Sequence, residues 1–254
     1  MRAGFKSSSE ILNEKISQWI ISKINSLKSR AKFSSINAIR FLHWSNNIFD
    51  VSPIVASSTA MHATEEAVAA FIAAAQVHGH KEYAKKINLH NHKQKALISI
   101  FAQRMSLLLA QGKVSIAIHP KQDVLAYRVL TEEGYHYDAL HLSSFHIGTK
   151  DGEDSGILLG DPPSLDAVAN EANRVSQARN KIMYATENGL STGFINPERE
   201  IARNTALSIG LIWAAVDMYM HPDHNRLIVD QVLSGLAEVM AKNGRKSCET
   251  EGNA

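Results

Sequence analysis

Cysteine is almost absent from the 254 residues: the single one, Cys248, sits in the polar run Lys246 to Glu249. One thiol makes neither an internal disulfide nor a zinc knuckle, which removes both staples and suits a reducing compartment. Net charge is equally scarce, with 27 Lys and Arg against 25 Asp and Glu, or +2 when the 12 histidines are neutral. A domain that coats nucleic acid non-specifically is far more basic, so any nucleic-acid contact has to be local. Long apolar runs are missing too. The uncharged stretch Thr205 to Val216 lies between Arg203 and Asp217 and is too short to span a bilayer. Met1 to Ser7 carries charges with no apolar signal core behind them. These features predict a soluble, cytoplasmic protein with no membrane contact. A Gly-rich phosphate loop, a Gly-x-Ser-x-Gly elbow and a His-Glu-x-x-His motif are absent as well.

What is present is a 44% hydrophobic content, enough to bury a real core in one large domain or in a domain with an insertion. Most of it recurs in the helical period. Leu12, Ile16, Ile20, Ile24 and Leu27 predict a helix from Ser8 to about Arg30, with Ser7 and Glu10 as a capping box. Lys32 to Asn47 is less regular but reads as helical. Ser52-Pro53 marks a helix start, and the helix behind it runs to about Val77 before Gly79. Another spans about His92 to Ala110. A helix opening at Asp161-Pro162-Pro163-Ser164 carries Val168, Ala172, Val175 and Ile182. The next starts at Asn196-Pro197, is apolar almost all round and belongs in the middle of a bundle. His221-Pro222-Asp223 separates it from a last amphipathic helix through Met240.

Residues 112–163 break this pattern. Val114, Ile116 and Ile118 alternate, as do Val124, Ala126 and Arg128, predicting a hairpin about His119 to Gln122, with Tyr137 to Ile147 as a third extended piece. The region is too short and polar for its own core, so it reads as an insertion. The expected class is all-α: six to seven helices with a small extended, β-hairpin insertion. Residues 1–50 would pack on a helical domain at 51–242, and 243–254 would form a frayed polar tail.

Three polar constellations can carry chemistry. In His62-Ala63-Thr64-Glu65-Glu66, Glu66 lies four residues after His62 and is expected on its face, with Glu65 a quarter-turn away. Such a carboxylate can serve acid–base work, or simply be part of a solvated face. His90 to Lys95 forms a polar helix start where Lys93, Lys95 and free N–H groups suit a phosphate, or are merely soluble side chains. Arg179-Asn180 and Tyr184 close the Asp161 helix. A guanidinium grips phosphate bidentately, an amide hydrogen-bonds and a phenol stacks or donates a proton, although a helix end whose Tyr packs on the bundle looks the same in sequence. The insertion histidines His119, His136, His141 and His146 lack the tight pair spacing of a zinc site, so neither metal nor cofactor is expected.

Together, Ala63-Thr64-Glu65-Glu66-Ala67, His92-Lys93-Gln94-Lys95 and Arg179-Asn180-x3-Tyr184 resemble the AbiV (abortive infection) family within the HEPN superfamily of helical bundles. The resemblance covers about residues 53 to 220. It implies a HEPN-like bundle and a metal-independent endoribonuclease working as a homodimer, an antiphage effector held quiet until a phage-encoded signal arrives. By that resemblance Arg179 grips the scissile phosphate, Asn180 is the polar residue beside it, and Glu65 or Glu66 assists. His62, His92, Lys93 and Lys95 would line the RNA path. The superfamily pattern places His where this chain has Tyr184, and a phenol is a poor base at neutral pH but an adequate proton donor. A non-catalytic helical module binding RNA or a protein through the same cleft is the alternative. In a purely structural reading, the polar motifs are helix ends and interhelical hydrogen bonds.

Overall fold

The computed structural model describes residues 6–88, 91, 94–100, 102, 115–148, 157–158, 164, 166–171, 173–174 and 196–251, with side chains to residue 241 in the last helix. The protein is mostly helical and carries a small three-stranded antiparallel sheet. The helices are α1 (Ser8–Asn13), α2 (Lys15–Lys23), α3 (Ser29–Ile48), α4 (Pro53–Val77), α5 (Lys81–Ala84), α6 (residues 94–100), α7 (residues 166–171), α8 (Pro197–Met220) and α9 (Leu227–Glu251). None of the described helices is long and apolar enough to cross a membrane.

Among the described residues the count exceeds the expected six or seven because the first predicted helix is broken and the four-residue α5 is added. Glu14, between α1 and α2, is extended (φ −62, ψ 144), and a 3-10 turn at Ile24–Ser26 then leads to Leu27. The apolar period survives both breaks, since Leu12, Ile20, Ile24 and Leu27 all remain buried. Periodicity reports which face is buried, not whether the axis is continuous. The caps form as expected. Ser7 Oγ accepts from the Glu10 amide at 3.3 Å while the Ser7 amide donates to Glu10 Oε2 at 2.7 Å. Asn196 Oδ1 takes the Arg199 amide at 2.9 Å, with Pro197 at the first position of α8.

Helix α4 is the centre of the bundle and packs between α3 and α8. Ala56, Ala60, Ala63, Ala67, Ala70 and Ala74 are all fully buried and alternate at four and three residues. This is a seam of small side chains that lets neighbouring backbones approach closely. Larger residues fill the flanks: Val68 and Ile72 from α4, Leu42 from α3, Ile212 and Val216 from α8. Helix α8 is buried nearly all round, as its composition predicts.

The insertion forms β1 (Ser115–Ile118), β2 (Leu125–Thr131) and β3 (Gly134–Ala139) in that spatial order. The third strand starts three residues earlier than the alternation suggested, because Glu132-Glu133 is a two-residue hairpin loop closed by Gly134 at φ +120. A 3-10 turn (Leu142–Ser144) follows, then β4 (Phe145–His146) paired in parallel with β5 (Ile157–Leu158). The insertion shares the bundle's core through Leu125, Leu140, Leu142 and Phe145. Polar contacts also hold it, among them Trp19 Nε1 donating to Asp123 Oδ1 at 2.9 Å and the Gln231 amide pairing both ways with the backbone of Ile147 at 2.8 and 2.9 Å. At the other end, α9 continues in helical backbone to Glu251, where a frayed tail from residue 243 was expected.

Gly79, at φ +95, turns the chain out of α4. Beside it the His78 ring meets Tyr219 edge-on at 4.3 Å, and buried His80 bonds Asp230 Oδ1 through Nδ1 at 2.7 Å. Burial pushes His78 below the ordinary imidazole range, and the charges of Arg226, His80 and Lys28 push the same way. The folded state therefore keeps this ring neutral where the unfolded chain, with a pKa of about 6.5, takes a proton. Its contribution is present above that value and is lost as pH falls below it toward the lower folded pKa. The urea midpoint is expected to drop between pH 7.5 and pH 5.5, and His78→Gln to reduce the drop. An unchanged pH difference in that variant would remove His78 from the account.

Candidate functional site

The Glu65 region of α4 faces two ways. Thr64 turns inward: its hydroxyl lies 2.8 Å from Asn204 Oδ1 and 3.3 Å from Ser208 Oγ on α8, and Asn204 Nδ2 donates to the Glu200 carbonyl at 2.9 Å. Buried hydroxyl and amide groups are satisfied across the α4–α8 seam, which fixes the rotation of α4. Glu65 then points to α6. Its Oε2 lies 3.7 Å from Lys95 Nζ and 3.7 Å from His62 Nδ1. Side-chain exposures of 8% for Lys95 and 14% for Glu65 make this a mostly desolvated pair, and His62 is tilted over Phe41 with ring centroids 5.9 Å apart.

Three of the predicted site residues, His62, Glu65 and Lys95, are thus brought together from α4 and α6. Two details differ from expectation. His62 meets Glu65 at i+3, whereas Glu66 at i+4 was expected to share its face. The Lys95 ammonium, offered in sequence to a phosphate, lies against a carboxylate. Such a pair cancels most of the local charge, so Lys95 acts on Glu65 and contributes little field to an anion. Arg179, Asn180, Tyr184, His92 and Lys93 lie outside the described residues.

A second constellation escaped the sequence reading. The four insertion histidines separate: His119 Nδ1 accepts from the Lys121 amide at 3.1 Å, exposed His136 pairs with Asp138 at 3.0 Å, and His146 is buried in β4. His141, just before the 3-10 turn, instead reaches the bundle. There it meets His221, the C-cap of α8, and His224 in the α8–α9 loop, with ring centroids at 4.3 and 4.7 Å. One ring nitrogen from each of the three lies within 4.8 Å of the others. The tight pair sought among insertion histidines is His221-Pro222-Asp223-His224, in a stretch that reads in sequence as a helix separator.

Charged groups underlie this cluster. Asp217, buried one turn before His221, takes His141 Nδ1 at 2.9 Å on one oxygen and the Leu142 amide at 3.1 Å on the other. Arg226, 1% exposed, places Nε 3.8 Å from Asp217 Oδ2 and donates to the His224 carbonyl at 2.8 Å, the Met218 carbonyl at 3.4 Å and the His221 carbonyl. Burial pushes His221 and His224 below the ordinary imidazole range, and the His141 charge adds to this while Asp217 opposes it. Among the described residues this is the group whose donor set fits a metal ion. No family model, curated protein or solved structure matches the chain.

Proposed function

We propose that the protein is an abortive-infection effector of AbiV and HEPN type, which binds RNA as a homodimer and cleaves it without a metal at the reacting phosphate. The observation that carries this reading is the convergence of Glu65, Lys95 and His62. Glu65 and Lys95 lie 30 residues apart, on two different helices, and the resemblance assigns polar residues of both helices to one site. Glu65 is the assisting carboxylate, and Lys95 and His62 hold its orientation. Arg179 neutralises the scissile phosphate, and Tyr184 donates a proton to the leaving oxygen. Two Arg179 sites meeting at a dimer axis concentrate positive charge that the net +2 does not reveal.

The test is cleavage of total cellular RNA by purified protein in excess EDTA, beside an Arg179→Ala variant of native helicity. Cleavage by the parent and a loss of at least about a hundredfold in the variant is expected, in the range typical of a positioned catalytic group. Equal cleavage by both would overturn the assignment of Arg179. Tyr184 in place of the superfamily's His specifically favours the second reading, a non-catalytic RNA-binding module. Arg179-dependent RNA binding with no turnover would establish that one instead.

A further inference from the structure

The geometry points to a zinc site formed by His141, His221 and His224, which fastens the insertion to the end of α8 and leaves a fourth coordination position open. The three ligands come from three places: the loop after β3, the C-cap of α8, and the α8–α9 loop. Their nitrogens lie within 4.8 Å of one another. A tetrahedral zinc with bonds of about 2.0–2.1 Å needs nitrogens about 3.3 Å apart, so closure takes roughly an ångström of side-chain rotation. All three rings are half-buried, which leaves that freedom and an approach for the ion.

The surroundings match what holds an imidazole on a metal. Asp217 Oδ1 accepts from His141 Nδ1 at 2.9 Å, which fixes the tautomer and leaves Nε2 with its lone pair free to ligate. Asp217 is held in turn by the Leu142 amide and by Arg226. Ser143 Oγ lies 3.4 Å from His224 Nδ1 and can orient that ring in the same way. Neutral nitrogen donors with a carboxylate behind them select a borderline ion such as Zn²⁺, whereas Mg²⁺ and Ca²⁺ take oxygen ligands. The fourth position is left to water or to an oxygen of a ligand. Hydrogen bonds and the packing of Leu140 and Leu142 join these parts of the chain, and the metal adds the cross-link that a chain with one cysteine cannot supply as a disulfide.

The test titrates ZnCl₂ into EDTA-stripped, desalted full-length protein by calorimetry, with Co²⁺ as the spectroscopic probe of a tetrahedral site. One ion per chain is expected, with the intense visible absorption of four-coordinate Co²⁺ and a higher melting temperature with zinc. His141→Gln and His224→Gln should each weaken binding at least about tenfold, and Asp217→Asn by about 10–100-fold. His136→Gln, at an exposed histidine outside the cluster, should leave affinity unchanged. The proposal is overturned if no ion binds at one equivalent, or if His141→Gln and His224→Gln bind zinc as tightly as the parent. The readout involves no RNA, so its failure leaves the nuclease reading standing, and the converse also holds.

Discussion

Arg226→Met is expected to destabilise the fold by about 3–5 kcal/mol, the range for breaking a buried charge pair by removing one partner. The guanidinium is 1% exposed and bridges the carbonyls of Met218, His221 and His224, so it closes the last turn of α8 and the loop behind it. Methionine fills much of the volume but donates nothing. Those carbonyls would lose their donor, and Asp217, 4% exposed, would keep its charge without the facing cation. Urea unfolding at constant m-value measures the effect. Arg226→Lys should recover only part of the loss, because an ammonium cannot span the same fork of carbonyls. A loss below about 1 kcal/mol in Arg226→Met would show that water replaces the guanidinium at little cost.

The second large effect is expected at Glu65. Glu65→Leu leaves the Lys95 ammonium, 8% exposed, without its carboxylate, and should cost about 2 kcal/mol. The figure sits below that for Arg226 because the Glu65–Lys95 pair keeps some solvent, whereas Arg226→Met also takes the donor from three carbonyls. Lys95→Met alone should cost a similar amount. The double variant should then be less destabilised than the sum of the two, by about 1–2 kcal/mol of coupling. Strict additivity would mean that the two groups lie together without acting on each other. RNA turnover measured on the same set separates the roles. Loss of activity in Glu65→Gln beyond what its loss of stability accounts for is expected of an assisting carboxylate, whereas activity that merely tracks stability is expected of a structural pair.

The helical frame was legible in sequence because its signals are local. Ser52-Pro53 and Asn196-Pro197 set the starts of α4 and α8, and Gly79 sets the end of α4, through backbone preferences that need no tertiary partner. The insertion was legible for a similar reason, since alternation over β1 and β2 is a property of neighbouring residues. Breaks within an unbroken apolar period were not legible, as Glu14 shows. The Glu132-Glu133 turn was missed because neither residue is a typical former of a two-residue hairpin loop, and Gly134 alone marked it.

The candidate sites divide along the same line. The sequence alone determined which residue types were available, that α8 belongs in the middle of the bundle, and that Glu65 and Lys95 lie on helices. Tertiary structure decided which of them meet. Whether Glu65 or Glu66 faces Lys95 depends on the rotation of α4, and the contact of Thr64 with Asn204, 140 residues away in the chain, sets that rotation. The histidine cluster is a stronger case. His141 and His221 are 80 positions apart, so no spacing rule connects them. Asp217, buried on α8, draws the start of the 3-10 turn onto the helix end, and only that docking makes three separate imidazoles into one group of donors. Propensity acts over a few residues, whereas a binding site is made by side chains that packing brings together from far apart.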